Sequence, residues 1–501
     1  MSKRTHKKDP GVPHHQTNIT PGSMGKNTGG RYLLWFKIFL IGLLLQFFLH
    51  TLFTFQFGFS GGFWNLIWLW KEVFIIIGAG VVAWLLFFNT SPDLSLKERR
   101  IIGKPLSCDR RERTRRGVGV RGFIFVFIIT IIIILGVSLK TSTIIDAIIS
   151  IRYSMMGFFI FIVAGLLGYF LVSAKQHTQL LKWRRRVMKV ILVIGLFWWG
   201  VVWLMPNGLK FFGYNQNAYE GEVGARPPAT YYTEYKQGLV RNQFLFERPI
   251  SYGFFLIALW PLFFILAIKG KHHRELLWRG GLYGLNIFST FSRAAWGAWF
   301  VQTIILFFIV YHKHWKKMLL YFGGPALLMI GVVGYFAADQ IMHRQFSTTG
   351  HINEIKTAIQ KIQAHPLLGA GVGSAGPASH QIKQFEPYNT ENQYLQIWVE
   401  YGILGLLGWG YLYFFLHYVG YLAWKDEKKY LEKKQEHTRM KKNKILQHYH
   451  YYIIAFSLGI LGLSIENLVL HGFVDRMIVY PVMLLFGLSY GVWMRIKENE
   501  K

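Results

Sequence analysis

Residues 364–409 read AHPLLGAGVGSAGPASHQIKQFEPYNTENQYLQIWVEYGILGLLGW, a polar, glycine-dotted segment that passes without a break into an apolar helix. The apolar half belongs to a run from Leu395 to Trp424. At 1.5 Å per helical residue that run is long enough to cross roughly 30 Å of hydrocarbon, so it reads as a membrane span. The polar half is far longer than the few residues that suffice to join two spans. Its length predicts a site built at the membrane face.

Outward from this stretch the apolar pattern repeats. Runs of about 18 to 25 residues are the length of a membrane-crossing helix, and they occur at Leu33 to Phe55, Val73 to Phe88, Phe123 to Leu139, Met155 to Ala174, Val190 to Met205, Ile250 to Ile268, Ala294 to Val310, Met318 to Ala338, Tyr451 to Leu470 and Met477 to Trp493, with a weaker one at Leu276 to Phe291. Hydrophobic residues make up 52% of the 501 and charged residues 16%. The expected fold is all-α and polytopic, with about twelve transmembrane helices and two long extracytoplasmic loops. In domain terms this is a basic cytoplasmic tail at 1–32, a single transmembrane domain at 33–494 and a short tail at 495–501. The extracytoplasmic loops fall near 206–249 and 339–394, the basic cytoplasmic loops near 90–121 and 425–446.

The first run is too long for a signal peptide, lacks a small-residue cleavage site and is followed at once by a second span, so it is expected to stay in the mature chain. Cys108 is the single cysteine and cannot form an internal disulfide; no Cys/His spacing reads as a zinc site. Neither metal nor cofactor is expected.

A net charge of +31 would suggest nucleic acid in a soluble chain. Here the positive residues cluster in alternate loops: Lys3 to Arg31, Lys97 to Arg121, Lys175 to Lys189, Lys269 to Arg279, Lys313 to Lys317, Lys425 to Lys444 and Arg495 to Lys501. The positive-inside rule places these stretches in the cytoplasm, with both termini. The charge therefore orients the chain against lipid headgroups, and no nucleic-acid partner is expected. Arg274 and Arg279 precede the weak run, and Lys316 and Lys317 follow the next one. An even number of crossings must separate them, which puts Ser292 and Arg293 at an outer bend on the same face as the two long polar loops.

A Ser-Arg at a helix junction, then HPLLGAGVG, then ENQYLQIWVEYGILGLLGW, then the hairpin HGFVDRMIVYPVMLLFGL occur in an order that resembles the O-antigen ligase and polymerase superfamily (WaaL and Wzy types). The resemblance covers about Arg241 to Leu488; the N-terminal half matches only in its pattern of spans. It implies a metal-independent membrane glycosyltransferase of the GT-C type in the bacterial cytoplasmic membrane. Such an enzyme takes glycan from an undecaprenyl diphosphate-linked oligosaccharide and passes it to a hydroxyl of a lipid-linked acceptor on the outer face. Partners implied are that donor, membrane lipids and other polysaccharide-assembly proteins such as a flippase or a chain-length regulator.

The residues carry a chemistry of their own. A departing diphosphate gathers negative charge, and guanidinium stabilises it because its planar donors bind phosphate oxygens in pairs and keep their protons. Arg293, in STFSRAAWGAW, and Arg241, in GLVRNQFLFERPISYG, are the candidates; both resemble arginines of the family, Arg248 competes with Arg241, and Arg226 has a weaker claim. An acceptor hydroxyl needs a base. The ligases carry His-Asn before an aromatic-Leu pair, whereas this chain reads Glu391-Asn392-Gln393-Tyr394-Leu395, so Glu391 is assigned the role. The missing histidine favours polymerisation over strict ligation. Glu391 and Asn392 equally suit a helix N-terminus. Arg248, His365, Asn392, Tyr394, His471 and Asp475 complete the candidate binding set, and His365 and His380, in the same loop, are alternative replacements for the missing imidazole. His365-Pro366 also marks a helix end. Tyr388, Tyr394 and Trp398 offer rings to sugar faces or to an interfacial belt. Glu400 and Glu466 are intramembrane carboxylates, suspects for function or for polar contacts between helices.

No internal repeat is apparent, which weighs against a twelve-span transporter with matched halves. Three readings stand: a polymerase, a ligase moving a finished glycan to another acceptor, and a flippase for the same lipid. A non-catalytic scaffold is a fourth if Glu391 is dispensable.

Overall fold

The computed structural model describes residues 28–57, 70–88, 110–141, 143–205, 240–269, 273–311, 345–380, 382, 385–436 and 444–499. The expected span Met318 to Ala338, Cys108, Arg226 and most of the first polar loop lie outside them. The described chain is all-α. Its helices are α1 Thr28–Phe57, α2 Trp70–Phe88, α3 Arg110–Thr141, α4 Ile144–Ser154, α5 Met156–Phe170, α6 Ala174–Leu204, α7 Pro249–Lys269, α8 His273–Ser289, α9 Arg293–Tyr311, α10 Gln345–Ala364, α11 Gln393–Glu436, α12 Lys444–Glu466 and α13 Arg476–Asn499.

By length and composition three of these helices, α6, α11 and α13, suffice to cross a membrane; α4 and α5 make a fourth if that pair, bent by 65°, counts as one span. Shorter apolar helices are Leu33–Gln46, Gly122–Ser138, Pro249–Ile265 and Arg293–Ile309. Apolar character thus supports an integral membrane protein, with three or four full-length spans among the described residues.

The core is sorted by burial. In α7 every side chain from Ser251 to Ile265 is buried, as expected of a helix apolar on all sides. α13 is buried from Met477 to Ser489 and lies along α5. Glycines set that approach: a Cβ on Gly168 would stand 2.5 Å from the Leu488 carbonyl oxygen, and one on Gly487 2.5 Å from that of Phe161. Small residues let backbones of packed membrane helices come this close. α6 instead leaves Val190, Val193 and Phe197 exposed, the surface of a peripheral helix facing lipid.

Two elements differ from expectation. α4 was not foreseen: it starts at a capping box, in which Thr143 Oγ1 accepts from Asp146 N at 3.3 Å and Asp146 Oδ2 accepts from Thr143 N at 3.0 Å. It leaves Ile144, Ile145 and Ile148 exposed. The second difference is in the run Leu395 to Trp424, which is broken at Gly402 (φ 66°, ψ −170°). The break admits the 366–370 loop: Ile403 N donates to Pro366 O at 3.0 Å and Ala370 N to Val399 O at 2.7 Å. A Cβ on Gly402 would sit 2.1 Å from Leu367 O, so the glycine is required by both conformation and space.

Candidate active site

Six helix ends meet at one end of the bundle: the starts of α7, α9, α11 and α13 and the ends of α8 and α12. Asn242 N donates to Ser289 O, joining the segment before α7 to α8. Gly253 of α7 lies beside Thr290 and Ala295, and Gly472 beside Phe254. Gln393 N, opening α11, donates to Asn467 O just past α12, and its side-chain oxygen accepts from Phe473 N. The first turn of α7 is therefore flanked by the α8–α9 bend on one side and the α12–α13 hairpin on the other.

The first group of candidates sits on the α8–α9 bend. Arg241 Nε donates to Thr290 O at 2.8 Å, and Arg293 stands three residues on, exposed at the first position of α9. Two guanidinium groups from segments about fifty residues apart thus share one short bend.

The second group surrounds Glu391. Its carboxylate pairs with His351 Nδ1 of α10, each side chain about one-third exposed (33%). Glu354, one turn along α10, is shifted upward by its own burial and by the charge of Glu391. Thr390 Oγ1 lies 3.1 Å from His471 Nε2. Burial pushes the His471 imidazole down to about 4, with the charge of Glu391 opposing and that of Arg248 reinforcing. Asp475 caps α13 through Met477 N at 2.9 Å; burial raises its carboxyl, while the Ser251 side chain and Arg248 pull it back. Arg248, exposed at the entry to α7, therefore acts on both His471 and Asp475.

Asn392 is the N-cap of α11, its Oδ1 accepting from Leu395 N at 3.0 Å, and its Nδ2 donates to Leu468 O at 2.7 Å. Glu391 stands outside the helix with φ at +52°, so of the two only Asn392 caps. Tyr394 donates to Ser464 O at 2.9 Å and packs edge-on to Trp409. Trp398 Nε1 holds Pro366 O and the Tyr388 hydroxyl holds Glu354 O, so all three rings anchor the scaffold. His365 ends α10, exposed, about 20 Å along that helix from His351. His380 is exposed at the end of a short 3-10 turn, Pro377–His380. Glu400 fastens the glycine loop to α11, accepting from Gly373 N at 3.0 Å and Gln396 Nε2 at 3.2 Å. Glu466 is buried at the end of α12, and neither carboxyl oxygen meets a donor among the described residues.

His351 is the partner that sequence reasoning missed. Forty residues and a helix separate it from Glu391, and nothing in either local pattern joins them.

Non-glycine residues rarely adopt positive φ, and those that do gather where the surrounding structure over-determines them. Among the described residues they are Phe244 at 47°, Phe291 at 50° and Glu391 at 52°. Phe244 follows Arg241 by three residues and Phe291 precedes Arg293 by two. Each left-handed residue is, or lies within three positions of, one of Arg241, Arg293 and Glu391.

These candidate groups lie together at one end of an apolar helical bundle. Residues 281–410 match a family model described as O-antigen ligase, a region running from α8 across the bend, the glycine loop and the break in α11. The match supports the O-antigen ligase and polymerase superfamily. A search of curated proteins found no match.

Proposed function

We propose that this chain is a membrane glycosyltransferase that elongates a surface polysaccharide from undecaprenyl diphosphate-linked units on the outer face of the cytoplasmic membrane. The carrying observation is the set of three left-handed residues at the junctions bearing Arg241, Arg293 and Glu391, all at one end of the bundle. Glu391 takes the proton of the acceptor hydroxyl as that oxygen attacks the anomeric carbon. The glycosidic C–O bond to the diphosphate breaks, and Arg241 and Arg293 stabilise the charge that departs with the lipid. His351 holds the Glu391 carboxylate in place. In this reading about twelve spans cross the membrane, both termini are cytoplasmic, and the site end faces outward.

Ligation of a finished glycan to a different acceptor is the second reading, favoured by the family description of residues 281–410. Purified protein in lipid, given an undecaprenyl diphosphate oligosaccharide, separates them. A ladder of longer lipid-linked products supports the polymerase, and a single new product only with a foreign acceptor supports the ligase. Movement of unaltered donor between leaflets with no new glycosidic bond rejects both. Unchanged turnover in Glu391→Gln removes the proposed base.

A further inference from the structure

Far from the candidate site, α6 carries the run Lys182-Trp183-Arg184-Arg185-Arg186 near its entry to the apolar stretch. Arg185 and Arg186 reach the surface to different degrees, whereas Arg184 is 5% exposed. Its Nε and Nη1 are buried and meet no acceptor among the described residues, and no carboxylate of those residues pairs with it. It interacts electrostatically with Tyr283 of α8, Tyr452 of α12 and Arg185. The Tyr283 hydroxyl is buried and likewise meets no partner among the described residues. Its ring is pinned, stacked on Phe263 at 5.2 Å and edge-on to Trp260 at 5.3 Å. Arg279, one turn before Tyr283 on α8, adds a further buried guanidinium to this helix.

A guanidinium does not lose its proton, so burial cannot be relieved by neutralisation. An uncompensated buried charge is costly and is normally paired. Carboxylates at this end of the bundle show the ordinary solution. Glu427 receives Gln447 Nε2 and the Tyr451 hydroxyl, each at 2.7 Å, and lies 3.1 Å from His450 Nδ1. That acid is satisfied, whereas Arg184 Nε and Nη1 meet no acceptor among the described residues. What Arg184 and Tyr283 jointly offer is a set of inward-facing N–H and O–H donors with net positive charge, which fits an oxyanion with several acceptor oxygens.

We infer that Arg184 and Tyr283 form a second anion site, between α6 and α8 at the end opposite the candidate active site, which takes the phosphate of an anionic phospholipid from that leaflet. Basic pockets between membrane helices bind such headgroups. In the proposed orientation the leaflet is the cytoplasmic one; the site itself is independent of the glycan-transfer reading.

The test is native mass spectrometry of the full chain released from nanodiscs containing phosphatidylglycerol. Wild type retains the lipid. Arg184→Gln lowers retention by about 10- to 100-fold, the worth of charge-assisted hydrogen bonds. Tyr283→Phe lowers it by a few-fold, and Arg186→Gln, at an exposed position, leaves it unchanged. In phosphatidylcholine nanodiscs titrated with inorganic phosphate, a saturable rise in melting temperature that depends on Arg184 assigns the same site to free phosphate; no response, with lipid retained in the first experiment, assigns it to the headgroup. If Arg184→Gln does not fold, Arg184→Lys decides, since it keeps the charge and loses the planar donors. Equal retention by wild type and the folded Arg184 variant, with no phosphate response, overturns the inference.

Discussion

At the site end of the bundle, charged groups meet partners from distant parts of the chain: Glu391 meets His351, Arg241 meets Thr290, and Arg248 acts on His471 and Asp475. At the other end Glu427 is held by three neighbours from α12, yet Arg184 Nε and Nη1 meet no acceptor among the described residues. The two ends teach different uses of a buried or half-buried charge. At one end the charges meet partners beside left-handed backbone; at the other Arg184 is held by packing.

The largest effect that would break this contrast is at Glu391. Glu391→Gln is expected to lower transfer by about 10² to 10⁴-fold, the usual worth of a positioned base, measured as product formation from lipid-linked donor. Glu391→Gly should lose transfer as well while folding at least as stably, because glycine accepts φ at +52° without strain. A Glu391→Gly protein that melts well below wild type would mean the side chain is structural. Arg293→Ala is expected to cost about 10² to 10³-fold in turnover, as loss of a donor to developing charge does, with little change in melting temperature because the side chain is exposed. Arg241→Ala should lose both turnover and stability, since it also releases Thr290 O.

The break in α11 sharpens the comparison at a smaller scale. Gly402→Ala puts a Cβ 2.1 Å from Leu367 O at φ 66°, and is expected to destabilise by about 2 kcal/mol or more and to displace the glycine loop. In the same helix Gly410→Ala meets nothing within 4 Å and is expected to gain about 0.5 to 1 kcal/mol. Thermal unfolding of the pair checks both signs. The smallest effect is on pH. With His471 at about 4 when folded and near 6.5 when unfolded, the unfolded chain binds more protons between those values. Stability is therefore full above about 6.5 and falls as pH drops toward 4. His471→Gln should flatten that part of the melting-temperature profile, and an unchanged profile would place the imidazole in water.

Much of the architecture was legible in advance. Apolar runs correspond to α1, α2, α3, α5, α7, α9 and α13, and the weaker run Leu276 to Phe291 falls on α8. α4 was not legible: its Ile144, Ile145 and Ile148 face outward while Ala147, Ser150 and Ser154 turn inward, a pattern too short for a span. The break at Gly402 was hidden for the opposite reason. A glycine inside a long apolar run reads as ordinary membrane helix until a loop 35 residues earlier packs into it. At the site, Asn392 was readable as a cap from residue type alone, whereas the pairing of Glu391 with His351 was not.

The chain's own order of residues determined that this is an apolar helical protein and which residue types are available for chemistry, because both follow from side-chain character and the length of a run. Tertiary structure alone decided which of those residues meet. The Arg241 contact with the bend before Arg293, the His351 partner of Glu391 and the burial of Arg184 against Tyr283 and Tyr452 all depend on how helices stack in space, and no local pattern encodes the distance between different helices.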